Sequence, residues 1–487
     1  MMFLLLAVFL PVVAEANSEG RSASQQPTTR IAVTPRNGPT ENTPMKTPNL
    51  VVIMADDLGY ADVGFNGCTD IPTPNIDSIA REGVRFTSGY VAYPVCGPSR
   101  AAFITGRYGQ RFGFERNPPY KTDDPTIGLP RSERTLADAL SAVGYRCGIV
   151  GKWHLGAHET LHPLARGFHD FFGHLGGGHQ YLPGNLTIRK STAANDEGES
   201  YRTWLLRNHT PVESKQYLTD EFSDAAVNFI NTHAEQPFFL FLAYNAPHLP
   251  LQATKEYLDR FPNLSGKRKT YAAMVSAVDD GVGDVLSALR NHDVLDETLV
   301  VFLSDNGGPF LKNASQNTPL KGGKSDVWEG GYRVPFAARF PRGFPAGTTY
   351  DQPVLSLDIF ATIAALANAP IAADRPLDGV NLVPYLTGTN RTVPHGQIFI
   401  RKFDQQRYAI RAGNHKLVIP TQGAKPHLYN LEADVAESKN IAAENQNMVK
   451  DLRKQLNTWE KELVGPVFQG LAHSQAARKS HKKAGAK

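Results

Sequence analysis

Leu50-Val51-Val52-Ile53-Met54-Ala55-Asp56-Asp57 decides the fold: an uninterrupted apolar run that ends on two adjacent carboxylates. Three other stretches repeat the pattern. Tyr145-Arg146-Cys147-Gly148-Ile149-Val150 runs into Lys152 and His154. Phe238-Phe239-Leu240-Phe241-Leu242 leads to Pro247-His248, and Leu299-Val300-Val301-Phe302-Leu303 runs into Asp305-Asn306. Runs this short and this apolar suit strands buried on both faces, as in a parallel sheet. Helical periodicity lies between them, at Arg134 to Val143, Tyr217 to Thr232 and Tyr271 to Arg290. This alternation predicts a large doubly wound, mainly parallel α/β domain. Ligands of such sheets bind beyond the carboxyl ends of the strands, so the four polar clusters converge on one rim.

Outward from this core, the pattern changes after about residue 393. Gln397 to Ile400, Tyr408 to Arg411 and Lys416 to Ile419 read as short strands, and Asn445 to Leu463 as a helix. They predict a small C-terminal antiparallel sheet carrying a helix, over 393–470, behind a catalytic domain over 47–392. At the other end, the apolar stretch from Phe3 to Val13 is too short to span a bilayer. With Ala14-Glu15-Ala16 it reads as a signal peptide over 1–16, which places the mature protein outside the cytoplasm, secreted or periplasmic. Residues 17–46 are rich in Ser, Thr, Pro, Asn and Gln and read as a disordered linker. No later stretch is long and apolar enough to suggest a stable membrane span.

The formal charge of +4 has a local origin. Arg478, Lys479, Lys482, Lys483 and Lys487 lie in a basic tail over 471–487, and without them the chain is near neutral. No nucleic-acid groove is implied, and the tail reads as solvated. The three cysteines, Cys68, Cys96 and Cys147, make no disulfide framework. Cys68 and Cys147 either pair or stay as buried thiols. Sequons for glycosylation stand at Asn185, Asn208, Asn263, Asn313 and Asn390, of consequence only in a host that glycosylates exports.

The chemistry centres on Cys96-Gly97-Pro98-Ser99-Arg100, continued by Ala101-Ala102-Phe103-Ile104-Thr105-Gly106-Arg107. Pro98 suits a first helical turn and Gly106 a helix end, so Cys96 sits at a helix N-terminus, which favours anions. Arg100 adds a fixed charge with forked donors suited to a tetrahedral oxyanion. Asp56-Asp57 and Asp305-Asn306 form a second constellation. Adjacent carboxylates at a strand end repel, and a cation relieves this. Four oxygen donors favour calcium or magnesium over zinc.

Cys-x-Pro-Ser-Arg followed by Thr-Gly-Arg resembles the signature of the formylglycine-dependent sulfatases, within the alkaline phosphatase superfamily. Gly97 stands where that family more often has Ser, Thr or Ala. Gly151-Lys152-Trp153-His154-Leu155-Gly156, Pro247-His248-x-Pro250 and Leu320-Lys321-Gly322-Gly323-Lys324 with Trp328-Glu329-Gly330-Gly331 resemble three further blocks of the family. The resemblance runs from about Asn49 to Leu463. It implies that a maturation enzyme oxidises Cys96 to formylglycine, and that Asp56, Asp57, Asp305 and Asn306 bind calcium with residue 96 close to the metal. It implies hydrolysis of a sulfate ester. One hydroxyl of the aldehyde hydrate attacks sulfur, the alcohol leaves, and deprotonation of the other hydroxyl expels sulfate. Arg100, Lys152 and Lys324 then hold the sulfuryl oxygens. His248 is the candidate acid for the leaving alcohol, and His154 manages the hydrate's proton.

Three residues are weaker candidates for holding substrate. His174 and His179 flank the glycines of Gly173-His174-Leu175-Gly176-Gly177-Gly178-His179, which reads equally as a loop facing substrate or an ordinary turn. Arg401 lies in the C-terminal segment. Export points to a sulfated carbohydrate as substrate. Two rival readings remain at this stage: a phosphonate monoester or phosphodiester hydrolase of the same superfamily, and a non-catalytic glycan-binding relative.

Overall fold

The computed structural model describes residues 47–183 and 203–471. The expected signal peptide, the linker, the Asn185 sequon and the cationic part of the basic tail lie outside the described residues.

The four apolar runs form strands, and one more joins them: β1 (Asn49–Ala55), β2 (Arg146–Lys152), β3 (Asp170–His174), β4 (Phe238–Ala243) and β5 (Thr298–Ser304). They lie side by side and parallel in the order β5-β1-β4-β2-β3, within a ten-stranded sheet. Leu50 pairs with Phe239 on one side and with Leu299 on the other. Antiparallel strands flank this block. β6 (Phe336–Arg339) runs against β5, and Leu205–Arg207 runs against β3. The sheet is therefore mixed at its edges and parallel at its centre.

A strand's side chains alternate between faces. Leu50, Val52 and Met54 enter one apolar core, and Val51, Ile53 and Ala55 enter the other. Both faces are covered, so the sequence has no polar alternation to show. The first face carries α1 (Cys96–Thr105) and α4 (Leu357–Leu366); the second carries α2 (Leu218–His233) and α3 (Gly266–Asn291). Helix α3 begins earlier than its apolar periodicity, because its first turn is polar: Arg268 there reaches Asp62 and Asp70 at 2.7 Å each. The segment expected as a helix from Arg134 is a shorter one, Leu136–Ser141, started by a capping box between Thr135 and Asp138.

The C-terminal sheet has four antiparallel strands: β7 (Gln397–Lys402), β8 (Arg407–Ala412), β9 (His415–Ile419) and β10 (His427–Asn430). The last was not legible in the sequence, being short and half polar. Helix α5 (Gln446–Glu460) packs on it through Leu452, Leu456 and Trp459, and Trp459 stacks on Phe399 at 4.8 Å. Cys68 and Cys147 are both free thiols, the first half-buried and the second buried. Asn313 is fully buried, which closes its sequon, whereas Asn208 and Asn263 are exposed. Among the described residues no helix is long and apolar enough to cross a membrane.

A buried ionic network ties the small sheet to Tyr90, Glu329 and Arg333, which precede it in the chain and lie outside the ten-stranded sheet. Lys416 Nζ lies 2.9 Å from Glu329 Oε1 and 2.8 Å from Glu437 Oε1, all three residues fully buried. Tyr90 donates to Glu329 Oε2 at 2.6 Å, and Arg333 approaches the same oxygen at 3.3 Å. Removing one partner of a buried pair strands its charges at a cost of about 3–5 kcal/mol. Lys416→Ala is expected to lose that much in urea unfolding; a loss under about 1 kcal/mol, the size of an exposed pair, contradicts the network's role.

Candidate active site

The carboxyl ends of β1, β2, β4 and β5 meet at one rim, and the residues that follow them supply the site. Asp56 and Asp57 follow β1. Asp57 adopts φ 67, a left-handed conformation that Asp tolerates, and its N–H donates to Asp305 Oδ1 at 3.3 Å. Asp305 and Asn306 follow β5, and the Asp305 N–H is held by the Ala55 carbonyl at 3.0 Å. Lys152 ends β2, and His248 follows β4.

Cys96 is the first residue of α1 and is buried. Gly106 ends that helix at φ 66. The Cys96 Sγ lies 3.5 Å from Asp56 Oδ1 and 3.0 Å from Lys324 Nζ. Lys324 also reaches Asp57 Oδ1 at 2.7 Å, and Lys152 reaches Asp56 Oδ2 at 2.5 Å. Arg100, one turn along α1, places Nε 2.8 Å from Asp305 Oδ2 and one terminal nitrogen 3.1 Å from the Lys152 carbonyl. Its other terminal nitrogen is buried with no hydrogen-bond partner. His248 places Nε2 3.6 Å from Asp57 Oδ2, while its Nδ1 faces the Leu249 carbonyl at 2.6 Å. Since a carbonyl only accepts, Nδ1 carries the proton, and Nε2 is the nitrogen that gains or gives one at the site.

Burial raises Asp56, but Lys152, His248, Arg100 and Lys324 together outweigh it and hold this carboxylate well below the usual range. Burial, reinforced by Asp56, lifts Asp305 to about 6 against the pull of Arg100. Burial pushes the Cys96 thiol up to about 12 despite the two lysines. An unmodified thiol here is a poor nucleophile at neutral pH. Burial, then Lys152 and Arg100, keep His154 well below its ordinary value.

The oxygen donors of Asp56, Asp57 and Asn306 fit a hard cation, whereas the Cys96 thiol and the His248 imidazole beside them are softer ligands. Asp56, Asp57, Cys96 and His248 bring ligand atoms within 4.8 Å of one another. Asn306 adds a buried Oδ1 that has no hydrogen-bond partner, while its Nδ2 donates to Asp57 Oδ1 at 2.7 Å. A buried amide oxygen left unpaired is costly, and a cation satisfies it.

The structure thus brings together Asp56, Asp57, Cys96, Arg100, Lys152, His248, Asp305, Asn306 and Lys324. His154 stands beside them at φ 60, buried, with Nδ1 unpartnered. Of the three weaker candidates, His174 stands in register with Lys152 and has both ring nitrogens unpartnered, while His179 and Arg401 are held by other partners. His174 ends β3, is fully buried and packs between His179 and Phe222. His179 meets backbone carbonyls at both ring nitrogens, Gln180 at 3.0 Å and Thr203 at 2.8 Å. Arg401 is buried against Glu115 at 2.5 Å, with the Val464 carbonyl on the same nitrogen. There it joins the small sheet to the loop that follows α1.

Residues 48–369 match the family model described as Sulfatase. The chain belongs to the sulfatase family. Residues 323–462 of this sulfatase also match the model described as N-sulphoglucosamine sulphohydrolase, C-terminal. It is 35% identical to N-acetylgalactosamine-6-sulfatase of Mus musculus over 78% of this chain and 72% of that one. It is 30% identical to the uncharacterized sulfatase YdeN of Escherichia coli, over 85% of this chain and 86% of that one. Among solved structures it resembles Ps i-CgsB in complex with k-i-k-neocarrahexaose. That likeness has TM-score 0.80 and 40% identity, over 86% of this chain and 94% of that one. This sulfatase is a sulfuric ester hydrolase.

Two further residues support the sulfatase site: Asn117, which carried no signal in the sequence, and Gly177 of the glycine-rich stretch. Asn117 Oδ1 accepts the Gly97 N–H at 2.9 Å, fixing the first turn of α1. Gly177 packs against the His154 ring: a Cβ there would lie 2.7 Å from Nε2. The clash falls on the tip of a side chain, so the ring shifts and the fold stays. Gly177→Ala is expected to lower kcat by about 10²-fold, as a 1 Å misplacement does, with the melting temperature nearly unchanged. Steady-state kinetics beside thermal melting check this, and unaltered kcat contradicts it.

Proposed function

We propose that this sulfatase removes sulfate from a sulfated carbohydrate of the galactan type, using formylglycine made from Cys96 by a maturation enzyme, with calcium bound, after export. The observation that carries the reading is the placement of the Cys96 Sγ at the first turn of α1, 3.0 Å from Lys324 Nζ and beside Asp56. The carbohydrate class rests on the likeness to Ps i-CgsB, solved with a neocarrahexaose, and to the mouse N-acetylgalactosamine-6-sulfatase. The short apolar segment ahead of Ala14-Glu15-Ala16 supports export.

Asp56, Asp57, Asp305 and Asn306 would hold calcium, which supplies positive charge for the sulfuryl oxygens. A formylglycine hydrate at position 96 would supply one hydroxyl as the nucleophile and a second whose deprotonation frees sulfate. The remaining work falls to side chains already in place. Lys152 and the unpartnered nitrogen of Arg100, both buried, and the partly buried Lys324 hold the negative charge of the sulfuryl group in a preorganised setting. His248 protonates the departing alcohol from Nε2, its ring held by the Leu249 carbonyl. His154 takes the proton from the second hydroxyl.

Asp305→Ala is expected to lose bound calcium, read by elemental analysis, together with sulfate release from a defined sulfated oligosaccharide. Full turnover by chelated, metal-free protein contradicts the calcium assignment. The acid role of His248 has its own signature. A sugar hydroxyl leaves only with a proton, whereas nitrophenolate leaves unaided. His248→Ala should therefore lower kcat/KM on a sugar sulfate about 10²–10⁴-fold more than on nitrophenyl sulfate. Equal losses on the two substrates would mean that His248 positions and does not protonate.

A further inference from the structure

Two lysines of the C-terminal sheet are buried, and they are partnered differently. Lys416 is paired with Glu329 and Glu437. Lys402, the last residue of β7, is 3% exposed and makes no ion pair among the described residues. Its ammonium donates instead to the Ser325 carbonyl at 2.6 Å and to the Ser325 hydroxyl. Burial, with Arg407 nearby, holds the amine down to about 8, against Asp326 and Asp404. A buried cation without a carboxylate is expensive, and an apolar side chain would fill the same space. What it touches explains its presence.

Ser325 has φ 78, a left-handed conformation unfavourable for serine. Its N–H donates to the Pro94 carbonyl at 2.8 Å, two residues before Cys96. Ser325 is thus clipped on one side to the segment leading into α1 and on the other to Lys402. The residue before it is Lys324, whose Nζ lies 3.0 Å from the Cys96 Sγ and 2.7 Å from Asp57 Oδ1. The backbone at Ser325 sets the direction in which the Lys324 side chain leaves its loop. We infer that Lys402 is a positioning residue of the active site: by holding Ser325 in its left-handed turn, it aims Lys324 at position 96. The small sheet then contributes to catalysis without touching substrate. This rests on the function proposed above, in which Lys324 holds the sulfuryl group.

The test is a double-mutant cycle on full-length matured enzyme, read as kcat/KM for nitrophenyl sulfate. Lys402→Met should lower kcat/KM by about 10–100-fold, the usual cost of an outer-shell partner, at temperatures well below melting. In a Lys324→Ala background the same substitution should have little effect, since the residue it aims is gone. Lys402→Arg, which keeps the charge and donors, should recover most of the loss. Equal losses in both backgrounds, or full activity of Lys402→Met, overturns the inference. Ser325→Ala removes the hydroxyl partner alone and runs the same cycle should Lys402→Met not fold. A wild-type chain that releases no sulfate contradicts the function itself; an active wild type with additive losses contradicts only the positioning role.

Discussion

Mutual neutralisation of buried charge is the constraint on which the rest of this structure depends. Asp56, Asp57 and Asp305 stand at two adjacent strand ends with almost no solvent, and Arg100, Lys152 and Lys324 face them. Neither set is tolerable alone, because an unpaired buried charge costs several kcal/mol. Together they form a polar layer above an apolar sheet. The layer is left incomplete in two places: the Asn306 Oδ1 and one nitrogen of Arg100 have no partner. One calls for a cation and the other for an anion. The calcium ion and sulfate ester of the proposed function would supply those two charges.

The parallel sheet makes this layer possible. Its central strands are buried on both faces, so their ends are the first places where polar side chains can gather. The register brings Ala55 against Ser304 and Gly151 against Ala243, which sets the residues that follow at the same height. Helix α1 then presents position 96 to that layer with its own N-terminal partial charge. The C-terminal sheet closes the arrangement from the side through the Lys416 network, the Arg401–Glu115 pair and the contact of Lys402 with Ser325.

Much of this was legible in the sequence, for identifiable reasons. The apolar runs announced buried parallel strands, and the polar residues after each run announced the rim. Asp56, Asp57, Lys152, His248, Asp305 and Asn306 all follow from that rule. Cys96 and Arg100 followed from the helix signals around Pro98 and Gly106. What the sequence hid depends on side chains meeting across long separations. Arg401 read as a weak candidate for holding substrate, yet Glu115 lies beside it. His179 read either as facing substrate or as part of an ordinary turn; it lies in a loop, and two backbone carbonyls engage it. Lys402 and Asn117 gave no local signal, because each matters only through a residue distant in the chain, whereas the glycine run around Gly177 did point to a close approach.

The most direct measurement is the mass of the peptide carrying residue 96, taken from enzyme shown in the same preparation to release sulfate. The account predicts an aldehyde or its hydrate there, with oxygen in place of the thiol sulfur. Enzyme of full activity that carries an unmodified Cys96 thiol would contradict it, since burial holds that thiol up at about 12 and leaves it protonated at neutral pH.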